Sequence, residues 1–139
     1  MSVKLVKINL ENWEDALDLE LSEDHKHFVA PNLYSIAESQ FYPDVTAYGI
    51  YHGELMVGFI MYDTGFWIWR MMIAENQRGK GYGRQAMKLV IQEAHSKGTP
   101  CVGLSTEPEN FKAIQLYKSL GFIATGKIDD GEEEYILNF

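Results

Sequence analysis

A chain of 139 residues that is 46% hydrophobic and 13% aromatic can bury one sizeable core, and residues 1–139 read as a single domain. A net charge of −8 argues against nucleic acid as a partner, and no apolar run approaches the roughly eighteen residues of a membrane span, so neither partner is expected. The lone Cys101 excludes an internal disulfide and gives no metal-ligand spacing, so no metal is expected; the start Met1-Ser2-Val3-Lys4 lacks a signal-peptide core, and the expected compartment is the cytoplasm.

Val3 to Asn9 alternates apolar and polar residues as a first strand would. Asn12 can cap a helix from Trp13 to about Leu21, with Trp13, Ala16, Leu17, Leu19 and Leu21 on its apolar side. Asn32, following Pro31, can cap a second helix through Leu33, Ile36, Ala37 and Gln40, closed by Pro43. Two strands follow, Val45 to His52 and Leu55 to Tyr62, with His52-Gly53-Glu54 as their hairpin turn. Phe66 to Ala74 is apolar on both alternating faces, with Trp67, Trp69, Met71 and Ile73 expected on one side and Phe66, Ile68, Arg70 and Met72 on the other. Such a strand belongs in the middle of a sheet covered by helices on both faces.

After a glycine-rich stretch comes a helix with Tyr82, Ala86, Met87, Val90, Ile91 and Ala94 at helical spacing, favoured at its end by His95 and Lys97 and stopped by Gly98. Cys101 to Ser105 reads as a short strand, and Asn110 to Leu120 as a helix stopped by Gly121. Phe122 to Ile128 and Glu134 to Phe139 make a closing hairpin around Asp129-Asp130-Gly131. The order β-α-α-β-β-β-α-β-α-β-β is α/β with a mixed sheet.

The glycine-rich stretch Gln77-Arg78-Gly79-Lys80-Gly81-Tyr82-Gly83-Arg84 carries the chemistry. Alternate glycines let a backbone approach a ligand, and the helix that follows offers free N–H groups and a positive dipole end. Four of the twelve Lys and Arg residues (Arg78, Lys80, Arg84 and Lys88) fall within eleven residues that begin in this stretch of an acidic protein. The pattern reads as a diphosphate cradle; the plainer reading is a glycine turn with solvated charges. A dinucleotide fingerprint fails because Arg84 stands where its third glycine belongs, and a nucleotide P-loop fails because Gly81, not Ser or Thr, follows Lys80. What remains is R-x-x-G-x-G, Arg78 to Gly83, which resembles the acyl-coenzyme-A loop of the GNAT N-acetyltransferase family. A second segment, Asn110 to Phe122, is similar to that family's N-x-x-A-x-x-L-Y-x-x-x-G-F signature. The topology agrees over the whole length.

The resemblance implies an acyl-CoA N-acyltransferase fold, with a mixed, mostly antiparallel sheet of about seven strands and four helices, splayed between strands 4 and 5. It implies a bulge near Met72-Ile73, where a main-chain N–H polarises a thioester carbonyl, and a pantetheine arm lying in the splay as a substitute strand. Acetyl-CoA is then the cosubstrate, held by Met72, Ile73, Arg78, Gly79, Lys80, Gly81, Tyr82, Gly83 and Arg84. Asn110 binds the pantetheine arm, and Tyr117 points its hydroxyl at the sulfur and acts as the acid. Without the resemblance, Asn110 would be a helix cap and Tyr117 core.

The chain is also similar to bacterial diamine or polyamine (spermine/spermidine) acetyltransferases, through Phe28-Val29-Ala30-Pro31-Asn32, Ser35, Ala37-Glu38 and Trp67-Ile68-Trp69-Arg70. That implies a small-molecule amine acceptor, direct attack in a ternary complex and, as the family often forms, a homodimer. An amine with a reference pKa of about 10.4 loses its proton at pH 7 at a cost of roughly 4–5 kcal/mol. Some relatives have acidic residues where this chain has Trp69 and Arg70, so the base is left open among Glu38, Glu23, Asp24, His25 and His27. Trp69 can instead form an aromatic wall for a cationic chain, or pack in the core. Arg70 needs a partner among apolar neighbours, and Glu38 is a candidate. The rival readings are a protein or peptide N-acetyltransferase and a non-catalytic acetyl-CoA sensor.

Overall fold

The β-forming runs become seven strands: β1 (Val3–Lys7), β2 (Val45–His52), β3 (Leu55–Asp63), β4 (Trp67–Ile73), β5 (Cys101–Thr106), β6 (Ile123–Asp129) and β7 (Glu132–Asn138). Four helices, α1 (Trp13–Leu17), α2 (Asn32–Ser39), α3 (Tyr82–Ser96) and α4 (Phe111–Ser119), complete the computed structural model, which describes residues 2–19 and 32–139. The strands form one sheet in the order β1-β2-β3-β4-β5-β7-β6. Every pairing is antiparallel except β4 with β5. That parallel pair needs a crossover, and α3 supplies it.

Two cores sandwich the sheet. On one face α3 and α4 bury Met87, Val90 and Tyr117 against Ile60, Ile68, Val102, Leu104 and Tyr135. On the other, Ala16 of α1 and Ile36 of α2 pack with Ala47, Phe59, Met61 and Met72. β4 is apolar toward both, as a central strand must be.

The faces of β4 differ from strict alternation. Met61 pairs with Arg70 but Tyr62 pairs with Ile68, so Trp69 is the extra residue of a bulge. The expected bulge at Met72-Ile73 is therefore misplaced: those two residues pair regularly with Phe59 and Gly58. The slip puts Trp69 beside Met72 in the α1/α2 core, while Ile68, Met71 and Ile73 face α3 and α4. Arg70 reaches Glu38 of α2 on the same side as Trp69. Trp69 thus parts from Met71 and Ile73, with which even alternation groups it.

Two expected caps are also corrected. Asn12 makes no side-chain cap; it accepts from the Asn9 N–H at 2.7 Å and donates to the Lys7 carbonyl at 3.1 Å, pinning the exit of β1. Asn32 opens α2 and donates to the Ala16 carbonyl at 2.8 Å, tying α1 to α2. The first helix stops at Leu17, four residues short of the expected end, and Leu21 lies outside the described residues.

Both later helices end as their glycines require. At α4, Gly121 at φ 104° lets its N–H bond the Lys118 carbonyl while the Phe122 N–H bonds the Tyr117 carbonyl. The Tyr117 and Phe122 rings then pack at 5.9 Å. The terminal G-F of the second signature is, physically, a helix stop that fixes Tyr117.

Candidate active site

β4 and β5 pair only at Trp67–Gly103 and Ile68–Leu104, and then diverge. Gly103 allows this close start, because a Cβ there would collide with the Trp67 ring. Beyond the split lies a cleft of about 590 Å³ between the two strands, α3 and α4. The Ala74 N–H bonds the Val57 carbonyl toward β3, so by the alternation of strand edges the main-chain groups of Ile73 and Met71 are turned to the cleft. β4 thus presents unpaired edge to the cleft, a surface that another extended chain can complete.

At the end of β4 a single 3₁₀ turn (Glu75–Gln77) leads to the glycine stretch. Gly79 has φ 78° and Gly81, the N-cap of α3, has φ 83°, a region that disfavours side chains. An added Cβ at either meets no atom within 4 Å, and both residues line the cleft. Gly83 serves differently: its Cβ would stand 3.2 Å from Met71 Cε, so its absence lets α3 sit close on β4. The first main-chain bond of α3 is Gln85 N–H to Gly81 O. Among the described residues, none of the N–H groups from Gly79 to Arg84 donates to a protein acceptor. Successive free amides at a helix start fit a diphosphate.

Of the residues expected to hold the cosubstrate, Met72, Ile73, Arg78, Gly79, Gly81, Tyr82, Gly83, Asn110 and Tyr117 line this cleft. Lys80 and Arg84 do not. Lys80 Nζ donates to Gln77 Oε1 at 3.1 Å, and Arg84 Nη2 donates to Ser119 Oγ at 2.6 Å, bracing α3 against the end of α4. Arg78 has Glu75 at 3.7 Å. The Tyr82 hydroxyl meets His52 Nδ1 at 3.2 Å.

Asn110 is the N-cap residue of α4 by position, but its side chain does not cap. It donates to Thr106 Oγ1 at 3.2 Å, which ties the helix start to the end of β5. Tyr117 is buried, its hydroxyl bonds no described protein group, and loss of solvation pushes its pKa up to about 12.

On the acceptor side, Trp69 lines the cleft and Glu38 does not. Glu38 lies 3.6 Å from Arg70 Nη2, and Arg70 also donates through Nη1 to the Trp69 carbonyl at 2.6 Å. Glu38 is therefore the counter-ion of Arg70, which weakens its candidacy as a base. Trp69 is fixed by its indole N–H to Asp63 Oδ2 at 3.0 Å and by the Tyr42 ring at 5.2 Å. Glu23, Asp24, His25 and His27 lie outside the described residues.

The sequence reading missed one pair. Ser105 Oγ donates to Glu132 Oε1 at 2.7 Å, and both residues line the cleft. The strand was expected to begin at Glu134, which left Glu132 outside it. Its alternation with buried Tyr135 was a signal that could have placed it on a sheet face.

The profile of the Acetyltransferase (GNAT) family matches residues 9–122. Over 99% of this chain and 98% of the relative, the protein is 29% identical to the spermine/spermidine N(1)-acetyltransferase of Bacillus subtilis (strain 168). Among solved structures, the PaiA N-acetyltransferase of Thermoplasma acidophilum in complex with coenzyme A superposes with a TM-score of 0.74 at 17% identity, covering 100% of both chains. The spermidine N-acetyltransferase of Vibrio cholerae in complex with CoA and spermine gives a TM-score of 0.76 at 14% identity, over 99% of this chain and 95% of that one. The free amides, the splayed strands and the family match converge: the chain belongs to the acetyltransferase (GNAT) family, and its activity class is acetyl-CoA-dependent N-acetyl transfer.

Proposed function

We propose that the protein transfers the acetyl group of acetyl-CoA directly to a primary amine of a small polyamine of the spermidine, spermine or diamine type. The observation that carries the reading is the row of free amides from Gly79 to Arg84, beside a cleft that Gly79, Gly81, Tyr82 and Gly83 line and whose β4 edge is unpaired. The full-length similarity to a spermine/spermidine enzyme supports the acceptor class.

On this reading the amides and Arg78 hold the diphosphate, and the β4 edge at Met71 to Ile73 pairs with the pantetheine arm. The Ile73 N–H, turned to the cleft, is the main-chain donor available to a thioester carbonyl. Tyr117 donates a hydrogen bond to the leaving sulfur. A thiol of reference pKa about 8.5 is more acidic than a phenol at about 12. The hydrogen bond thus stabilises developing negative charge before any full proton transfer. The same burial raises the pKa of a thiolate formed beside it, which narrows the mismatch. The acceptor must lose a proton at a cost of roughly 4–5 kcal/mol at pH 7. With Glu38 engaged by Arg70, we assign that step to water in the cleft.

The test is thiol release from acetyl-CoA by the purified protein with spermidine, spermine, diamines, monoamines, amino acids and peptides as acceptors. Turnover strongest with small amines carrying two or more amino groups is the expected result. Turnover of peptides alone overturns the acceptor class.

A further inference from the structure

The split between β4 and β5 has two arms that begin at defined residues. Trp69 is the first residue of β4 beyond the last parallel pair, and Ser105 is the first of β5. Val102 and Leu104 point to the α3/α4 core, so Ser105 lies on the opposite face; Tyr135 points to that same core, so Glu132 shares the face of Ser105. Trp69, next to Ile68 of the α3/α4 core, lies on this face as well. The crotch of the split therefore carries an immobilised indole on one side and a carboxylate on the other. Ser105 holds one oxygen of that carboxylate. Among the described residues, no Lys or Arg lies within ion-pair distance of Glu132, whereas Arg70 in the same cleft is already matched by Glu38.

An aromatic face and a carboxylate together form a site for an alkylammonium. A carboxylate beside the attacking nitrogen would hold it protonated and slow the reaction. A carboxylate that helps must bind a different nitrogen. Resting on the polyamine reading above, we propose that Glu132, positioned by Ser105 and opposed by Trp69, anchors the second, non-reacting ammonium of the acceptor. It thereby selects diamines and polyamines over monoamines.

The experiment compares kcat/KM for 1,4-diaminobutane with that for butylamine, in wild type and in Glu132→Gln. Gln keeps the acceptor for Ser105 and removes only the charge. The diamine-to-monoamine ratio is expected to fall 10-fold or more, through KM for the diamine with kcat little changed. Ser105→Ala, which loosens the carboxylate without removing it, is expected to lower the ratio by a smaller factor, and it provides the reading if Glu132→Gln does not fold. A ratio unchanged in folded variants overturns the anchor and leaves the polyamine reading standing. A wild type that acetylates none of these amines, nor spermidine or spermine, overturns both.

Discussion

Tyr117 is held by two independent constraints. The Gly121-Phe122 stop fixes its main chain, and burial in the α3/α4 core fixes its ring. Because desolvation pushes its pKa up to about 12, the phenol stays neutral and able to donate at any working pH. Tyr117→Phe keeps the ring and the packing with Phe122. It is expected to lower kcat about 10- to 100-fold while leaving the acetyl-CoA dissociation constant within a few-fold, as read by steady-state kinetics beside calorimetry. The same kcat at every pH would remove the hydroxyl from the reaction. This residue was legible because its signature is local: the Tyr, the Gly and the Phe lie within one helix end. Glu132 was not, since its meaning depends on Ser105, 27 residues away and two strands apart in chain order.

Among the elements, the glycine loop is the most sharply constrained. Gly79 is in a left-handed conformation, and a side chain there carries a backbone penalty of roughly 1–2 kcal/mol and projects a Cβ at the cleft. Gly79→Ala is expected to fold with a lowered urea midpoint and to bind acetyl-CoA at least about 10-fold more weakly, measured by calorimetry. Unaltered affinity in the folded variant would place the diphosphate elsewhere. The motif itself was read correctly as a loop before a helix, but the three glycines divide their labour in a way the spacing did not show. Two supply left-handed turns, and Gly83 supplies close packing of α3 on β4. The basic residues divide as well, with Lys80 and Arg84 spent on Gln77 and Ser119. β4 shows the limit of periodicity: counting by twos works until one residue is inserted, and the bulge at Trp69 sends every later side chain to the other face.

At the scale of the whole molecule, the buried phenols make stability depend on alkaline pH. Burial raises the pKa of Tyr62, helped by Tyr48 and Glu93, and burial alone raises that of Tyr117. A phenol whose folded pKa exceeds its unfolded value of about 10 contributes stability that is complete below pH 10 and is lost as pH rises through the folded value. The urea midpoint is therefore expected to be flat up to about pH 10 and to fall between about pH 10 and 12. Tyr117→Phe should flatten part of that fall, worth about 2–3 kcal/mol from a shift of about two units. A midpoint constant to pH 12 would contradict the burial of these groups.

The sequence by itself determined the element order, the glycine loop and the helix stops, because each is written in residues within one turn of one another. The tertiary structure alone decided that β7 enters the sheet between β5 and β6 and that β4 bulges at Trp69, and it turned Glu38 from a candidate partner of Arg70 into the observed one. These are choices of register and of partners far apart in the chain, and local patterns of polarity do not carry that information.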